Sequence, residues 1–282
     1  MFTVLLSLYY KEAPQYLRQS LDSIFTQKLL ADEVVLVKDG PLTEELNEII
    51  VSYACRYPFL KIVSFSKNQG LGKALNEGLK HCSHDIVARM DTDDIAKPER
   101  FEKQLAVFKK HPDIDVVGAW IDEFENDISS VRSVRKLPEH QCDILTFAKR
   151  RNPINHPVVM FRKSAVLAAG GYQHFPLFED YYLWIRMLIN GAKFYNIQES
   201  LLYFRFSSEM FKRRGGWKYA MNEFRFQWMM RKLHFISILE FIQVVYCSGN
   251  QLFIAWNRCC GNNNSVSGNN INFFMIGHSH SC

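Results

Sequence analysis

Apolar residues over the first ninety positions fall into short runs separated by longer amphipathic stretches. Residues 3–8, 33–37, 60–65 and 85–90 are strand-length apolar runs, and residues 14–27, 43–57 and 71–81 between them read as helices. Strand and helix alternating at this spacing predict an α/β domain with a parallel, doubly wound sheet. Ligands of such sheets sit beyond the carboxyl ends of the strands. Polar groups stand at three of those ends: Tyr9-Tyr10-Lys11-Glu12 after the first strand, Lys38-Asp39-Gly40 after the second, and Asp91-Thr92-Asp93-Asp94 after the fourth. One crevice is therefore expected to be lined by Asp39, Asp91 and Asp93.

The acidic cluster carries the most chemistry. A buried strand ending in Asp-x-Asp-Asp offers hard oxygen donors to Mg2+ or Mn2+, which take part of their shell from carboxylates and part from substrate phosphates. A nucleotide diphosphate with its metal is the expected ligand. The plainer account makes Asp93 or Asp94 the N-cap of a helix beginning near Pro98. Position in the ligand crevice weighs against that account.

Five segments in order carry a resemblance. They are Thr3-Val4-Leu5-Leu6-Ser7-Leu8-Tyr9-Tyr10, Val34-Val35-Leu36-Val37-Lys38-Asp39-Gly40, Asn68-Gln69-Gly70-Leu71-Gly72-Lys73-Ala74-Leu75-Asn76, Ala88-Arg89-Met90-Asp91-Thr92-Asp93-Asp94 and Phe178-Glu179-Asp180-Tyr181-Tyr182-Leu183-Trp184. Their succession resembles family 2 glycosyltransferases of the GT-A fold, closest to bacterial members that build exopolysaccharide and O-antigen. The resemblance implies a Rossmann-like, doubly wound mixed sheet. It also implies nucleotide-sugar contacts by Tyr9, Glu12, Asp39, Asn68, Lys73, Asp91 and Asp93, with Asp39 on uracil and Lys73 on the pocket rim. Asp91, Asp93 and Asp94 are the implied metal ligands, Asp180 the implied catalytic base, and His156, Glu179 and Trp184 the implied acceptor-binding residues. One departure stands out: the usual form has two acids after the second strand, and here Lys38 precedes Asp39.

The chemistry can also be argued from the residues. Sugar transfer from a nucleotide diphosphate needs charge stabilisation on the departing diphosphate and one base for the attacking hydroxyl. Direct displacement with a single base inverts the anomeric centre, so an α-linked UDP-sugar gives a β-glycoside. Asp180 opens the amphipathic stretch 181–190, where an acid could equally just complement the helix dipole. The metal site upstream favours the base. Two rival readings are a haloacid-dehalogenase-like phosphatase using Asp91 and Asp93, and a non-catalytic GT-A-fold binding subunit. Ile95 stands where the phosphatase pattern wants Thr, Val or Gly, and intact Asp91, Asp93 and Asp180 argue against a binding subunit. The resemblance, not the residues, implies UDP-galactose as first donor and UDP-glucose as second, with a lipid-diphosphate-linked sugar as acceptor.

Composition narrows the remaining possibilities. The chain has 282 residues, 48% of them hydrophobic, enough for one large α/β domain with a small appendage. A net charge of +5 without zinc-finger or helix-turn-helix spacing gives no case for nucleic acid. Of seven cysteines only Cys259 and Cys260 are adjacent, and the set shows neither a zinc spacing nor a disulfide framework. Without a basic flank, the start is too short for a signal peptide, so the catalytic part is expected in the cytoplasm. The division expected is a catalytic domain over 1–210, with a nucleotide-sugar half to 95 and an acceptor half after it, a basic and amphipathic helical region over 211–258, and a disordered tail over 259–282. Gly170-Gly171 reads as a helix C-cap, and the basic loop 211–216 as either a clasp on the diphosphate or a solvated turn. Residues 212–232 mix Lys218, Arg225 and Arg231 with Trp217, Phe224, Phe226 and Trp228, a pattern suited to anionic lipid. The stretch 233–256 reads as an interfacial amphipathic helix or as a helix packed on the domain. Peripheral attachment to the inner face of a bacterial cytoplasmic membrane is the localisation this predicts.

Overall fold

Each of the four early apolar runs becomes a strand in the computed structural model, which describes residues 1–206, 216–244 and 246. These strands are β1 (Thr3–Leu8), β2 (Glu33–Lys38), β3 (Leu60–Ser64) and β4 (Ile86–Asp91). The helices between them are α1 (Pro14–Phe25), α2 (Glu44–Arg56) and α3 (Leu71–His81). Local chemistry sets their starts. Pro14 opens α1 with its preset φ, and the Thr43 hydroxyl accepts from Leu46 N at 3.3 Å to cap α2, whose first turn carries Glu44 and Glu45.

Later in the chain come β5 (Ile95–Ala96), α4 (Arg100–Lys110), β6 (Val116–Phe124), β7 (Val131–Arg135), α5 (Gln141–Ala148), β8 (Met160–Arg162), α6 (Lys163–Ala168), α7 (Glu179–Ile189), β9 (Phe194–Arg205) and α8 (Gly216–Lys232). The sheet runs β3-β2-β1-β4-β8-β6-β9-β5, with β7 added on β6. Its first four strands are parallel; β8 is antiparallel to both β4 and β6, while β9 lies parallel to β6. The sheet is thus doubly wound and mixed, as expected.

Alternation along the central strands feeds two cores, because successive side chains leave opposite faces. Val4, Leu6, Leu8, Val34 and Leu36 pack with Leu17, Leu21, Ile49 and Phe101 on one face. Leu5, Val35, Val37 and Val87 pack with Leu75, Ile144, Val166 and Trp184 on the other. Register then aligns the strand ends: Ser7 lies opposite Asp91 and Leu8 opposite Lys38. The loops after β1, β2 and β4 therefore open at one place.

Two C-terminal expectations change. Phe226 is fully buried, with ring centroids 5.0 Å from Phe178 and 4.5 Å from Tyr181, so α8 is anchored in the core rather than lying free on its aromatic side. A single helix over 233–256 does not form in its described part. Residues 233–236 turn, with His234 at φ +57°, and helix resumes at 238 after Ser237 and Glu240 cap one another reciprocally. Glu240 pairs with Lys149 at 2.6 Å and Gln243 accepts from Arg150 at 3.3 Å, so the polar side of this segment faces the domain. Residues 207–215, 245 and 247–282 lie outside the described residues, and with them the basic loop before Gly216 and the tail. No described helix is long and apolar enough to cross a membrane.

Candidate active site

Asp91 ends β4, and its carboxylate is set from below by a buried arginine. Arg89 is 1% exposed and donates from both terminal nitrogens, to Oδ2 at 2.7 Å and to Oδ1. Arg100, also buried, donates to the Arg89 carbonyl at 2.6 Å, and the Ser20 hydroxyl donates to the Asp91 carbonyl at 3.0 Å. Asp94 accepts from Arg205 N at 2.8 Å through Oδ1, while its Oδ2 is buried with no partner. Neither Asp93 nor Asp94 caps α4, whose N-cap is Glu99.

Asp91, Asp93 and Asp94 each present an oxygen within 4.8 Å of the others. Burial, then the charges of Asp91 and Glu12, push the Asp93 carboxyl up to about 7. Burial, then the charges of Asp93 and Asp91, raise Asp94 well above the carboxylate range, and burial raises Glu12, which accepts from the Thr92 hydroxyl at 2.9 Å. Crowded carboxylates, one with an orphaned buried oxygen, are the donor set that a hard divalent cation would relieve.

The crevice at the end of β2 is built on Asp39. Only 3% exposed, its carboxylate accepts from Gln69 N at 2.7 Å, Gly70 N at 3.0 Å and Asn68 Nδ2 at 2.9 Å. Gly40 has φ +93°, and a methyl there would lie 2.6 Å from Asn68 N, so only glycine permits the loop to close this tightly on β2. The loop delivers α3, whose first turn carries exposed Lys73. Lys38 turns away to Asn47 at 2.6 Å. Tyr9 is exposed beyond β1.

Across the crevice, Asp180 sits in the first turn of α7 and accepts from Asn152 Nδ2 at 2.7 Å. The first turns of α3 and α7 approach one another: a methyl on Gly72 would lie 4.0 Å from Glu179 Cγ and 3.5 Å from Tyr172 Cβ. Burial raises the Glu179 carboxyl. The Asn76 amide holds Tyr172 by both backbone groups, accepting from its N–H at 2.8 Å and donating to its carbonyl at 2.7 Å. The Tyr172 hydroxyl lies 3.0 Å from His156 Nε2. Burial raises this phenol, Arg89 opposes the shift, and the charges of Asp180 and Asp91 both add to it. Burial, then Arg89, drives the His156 imidazole well below its usual range, so it is neutral at pH 7.

Trp184 is a correction. It is fully buried behind His156, Phe161 and Phe194, with ring centroids 6.0, 6.5 and 6.1 Å away, and does not reach an acceptor. Its place on α7 follows from helical periodicity, which turns Leu183, Trp184, Met187 and Leu188 to the core. Arg89, Asn76, Asn152 and Tyr172 belong to the site but were not singled out by sequence. Only Arg89 carried a usable signal, as a lone charge inside an apolar strand. Gly170 and Gly171 do end α6, at φ +81° and +64°, and so deliver Tyr172.

A mixed, doubly wound sheet with acids at the end of its fourth strand and a facing acid at a helix start defines a GT-A transferase. Residues 5–166 match the model of glycosyl transferase family 2. The chain belongs to that family and is a glycosyltransferase, which removes the phosphatase reading. It is 47% identical over 223 residues to the amylovoran biosynthesis glycosyltransferase AmsE of Erwinia amylovora, covering 79% of this chain and 83% of that one. With the UDP-Gal:alpha-D-GlcNAc-diphosphoundecaprenol beta-1,3-galactosyltransferase of Escherichia coli it shares 42% identity over 241 residues, 86% of this chain and 87% of the other. S. aureus TarS in complex with UDP-GlcNAc has the same fold, with TM-score 0.65 at 17% identity over 91% of this chain and 72% of that one. So does the mannosyltransferase PcManGT of Pyrobaculum calidifontis in complex with GDP-Man and Mn2+, with TM-score 0.61 at 16% identity over 93% and 76%.

Proposed function

We propose that this enzyme transfers a hexose from a UDP-sugar to a sugar carried on a lipid diphosphate, forming a β-linkage in bacterial O-antigen or exopolysaccharide synthesis. One observation carries the reading: at the end of β4, Asp91, Asp93 and Asp94 bring their oxygens within 4.8 Å of one another, with Asp94 Oδ2 buried and unpartnered, a donor set suited to the metal of a nucleotide diphosphate. Galactose is the first donor sugar and glucose the second, supported by the E. coli relative named for UDP-Gal and an undecaprenyl diphosphate acceptor.

Asp91 and Asp93 would hold Mn2+ or Mg2+, with the unpartnered Oδ2 of Asp94 as a further donor. Such an ion, when bound, neutralises charge on the departing diphosphate. Tyr9, Glu12, Asp39, Asn68 and Lys73 form the nucleotide side; His156 and Glu179 form the acceptor wall. Asp180 takes the acceptor hydroxyl proton as that oxygen bonds the anomeric carbon. The bond from that carbon to the diphosphate breaks, and UDP leaves with the electron pair. The donor half extends to about residue 95 and the acceptor half to about 210.

The enzyme works at the inner face of the cytoplasmic membrane. Phe224, Trp228, Ile238, Leu239, Ile242 and Tyr246 are exposed, Leu239 by 75%, and exposed Arg225 and Lys232 stand beside them. Apolar side chains flanked by cations suit an anionic lipid surface.

The test is a donor panel with the purified protein, Mn2+ and a synthetic lipid-diphosphate sugar, scored for UDP release and product mass. UDP-galactose should give a product heavier by one hexose. Hydrolysis without sugar transfer, or no turnover with any UDP-sugar, would overturn the reading. Liposome sedimentation tests the surface: Leu239→Glu with Ile242→Glu should release the protein from anionic vesicles and leave its melting temperature in place.

A further inference from the structure

We propose that Asn152 is a positioning residue, holding the Asp180 carboxylate in the orientation from which it accepts a proton; this rests on Asp180 being the base. Asn152 Nδ2 donates to Asp180 Oδ2 at 2.7 Å, and Asn152 Oδ1 accepts from Ile154 N at 3.3 Å. The second bond settles which end of the amide faces the acid. With the oxygen committed to a backbone N–H, the NH2 is the end presented to Asp180. A donor there matches an ionised carboxylate and makes a charge-assisted bond.

The platform under Asn152 is unusually well tied. Asn155 donates to the Ala119 carbonyl of β6 at 2.9 Å, and Asn196 of β9 donates to the Pro153 carbonyl at 3.1 Å. Tyr181, next to Asp180 on α7, donates to the Ala148 carbonyl at 2.7 Å, where the same loop leaves α5. Asp180 projects from the first turn of α7, and Asn152 meets its carboxylate from a loop pinned to two strands. A base held within a fraction of an ångström of its productive geometry loses rate steeply when that hold is lost.

A double-mutant cycle with Asp180→Asn tests this. Asn152→Ala should lower kcat about 10- to 100-fold, the weight of one charge-assisted hydrogen bond, with donor KM and UDP affinity within about twofold of the parent. In the Asp180→Asn background the same substitution should cost less than about twofold, since its target is already gone. Asn152→Asp, which keeps the size and the acceptor for Ile154 N–H but sets a like charge against Asp180, serves if Asn152→Ala does not fold: kcat should fall and its acid limb move to higher pH, with donor KM unchanged. An equal loss in both backgrounds, or a rise in donor KM, would reduce Asn152 to a structural residue and overturn the inference. Full activity of Asp180→Asn alone would instead overturn the base assignment, and the inference with it.

Discussion

The two sides of the crevice are assembled differently. On the proposed donor side the groups come in short contiguous segments at the ends of β1, β2 and β4, and the parallel register sets Ser7 beside Asp91 and Leu8 beside Lys38. On the proposed acceptor side, Asn152, His156, Tyr172 and Asp180 come from loops and helix starts, with side-chain hydrogen bonds joining Asn152 to Asp180 and His156 to Tyr172. Asn76 of α3 bridges the two sides by holding Tyr172. Strand ends deliver a preformed cluster; loops need cross-bracing to reach comparable order. Donor-side substitutions should therefore act on nucleotide and metal binding, and acceptor-side ones on turnover.

The sharpest test of that division is the acidic cluster. Asp93→Ala should lower activity by on the order of 10⁴-fold, and EDTA should do the same to the parent protein. Unimpaired transfer in EDTA would remove the metal from the reading. Asp180→Asn should cost roughly two to four orders of magnitude in kcat, the usual worth of a positioned base, while UDP still binds. If binding and turnover fell together, Asp180 would belong to the donor side and the contrast would fail.

Proton linkage gives a smaller, graded effect. Asp93 keeps its proton up to about pH 7 in the folded protein, against an unperturbed 3.8. An incoming cation must displace that proton, so Mn2+ affinity should weaken as pH falls below 7, by about tenfold per unit for each proton displaced. Calorimetric titration between pH 5.5 and 8 would read this directly. The same shift has a stability consequence in the metal-free protein. A raised carboxyl favours the folded state fully below its unfolded value, and that contribution is lost as pH rises through 7. The smallest expected change is at Asp39. Asp39→Ala should weaken UDP binding about tenfold by freeing the 68–70 loop, with turnover at saturating donor much less affected. An unchanged UDP affinity would leave Asp39 a loop anchor alone.

The C-terminal region repeats the lesson in apolar terms. Phe226 and Trp228 look equivalent as members of an aromatic, basic stretch, yet Phe226 is fully buried and Trp228 is 44% exposed. Glu240 and Gln243, which by helical periodicity form a polar side, meet Lys149 and Arg150 of the domain. The apolar side that could meet lipid is consequently the outward one, at Ile238, Leu239 and Ile242.

The sequence by itself determined the first four strands, the helices between them and the acidic cluster, because these depend on short-range periodicity and on strand ends that parallel pairing must bring together. It also located Asp180 at a helix start. Tertiary structure alone decided that Arg89 grips Asp91, that Asp39 staples the 68–70 loop, that Trp184 faces inward and that Asn152 meets Asp180. Asn152 and Asp180 are 28 residues apart, and Asn76 and Tyr172 are 96 apart. Their hydrogen bonds depend on how loops from separate strands pack against one another. No local pattern of polar and apolar residues encodes that distance.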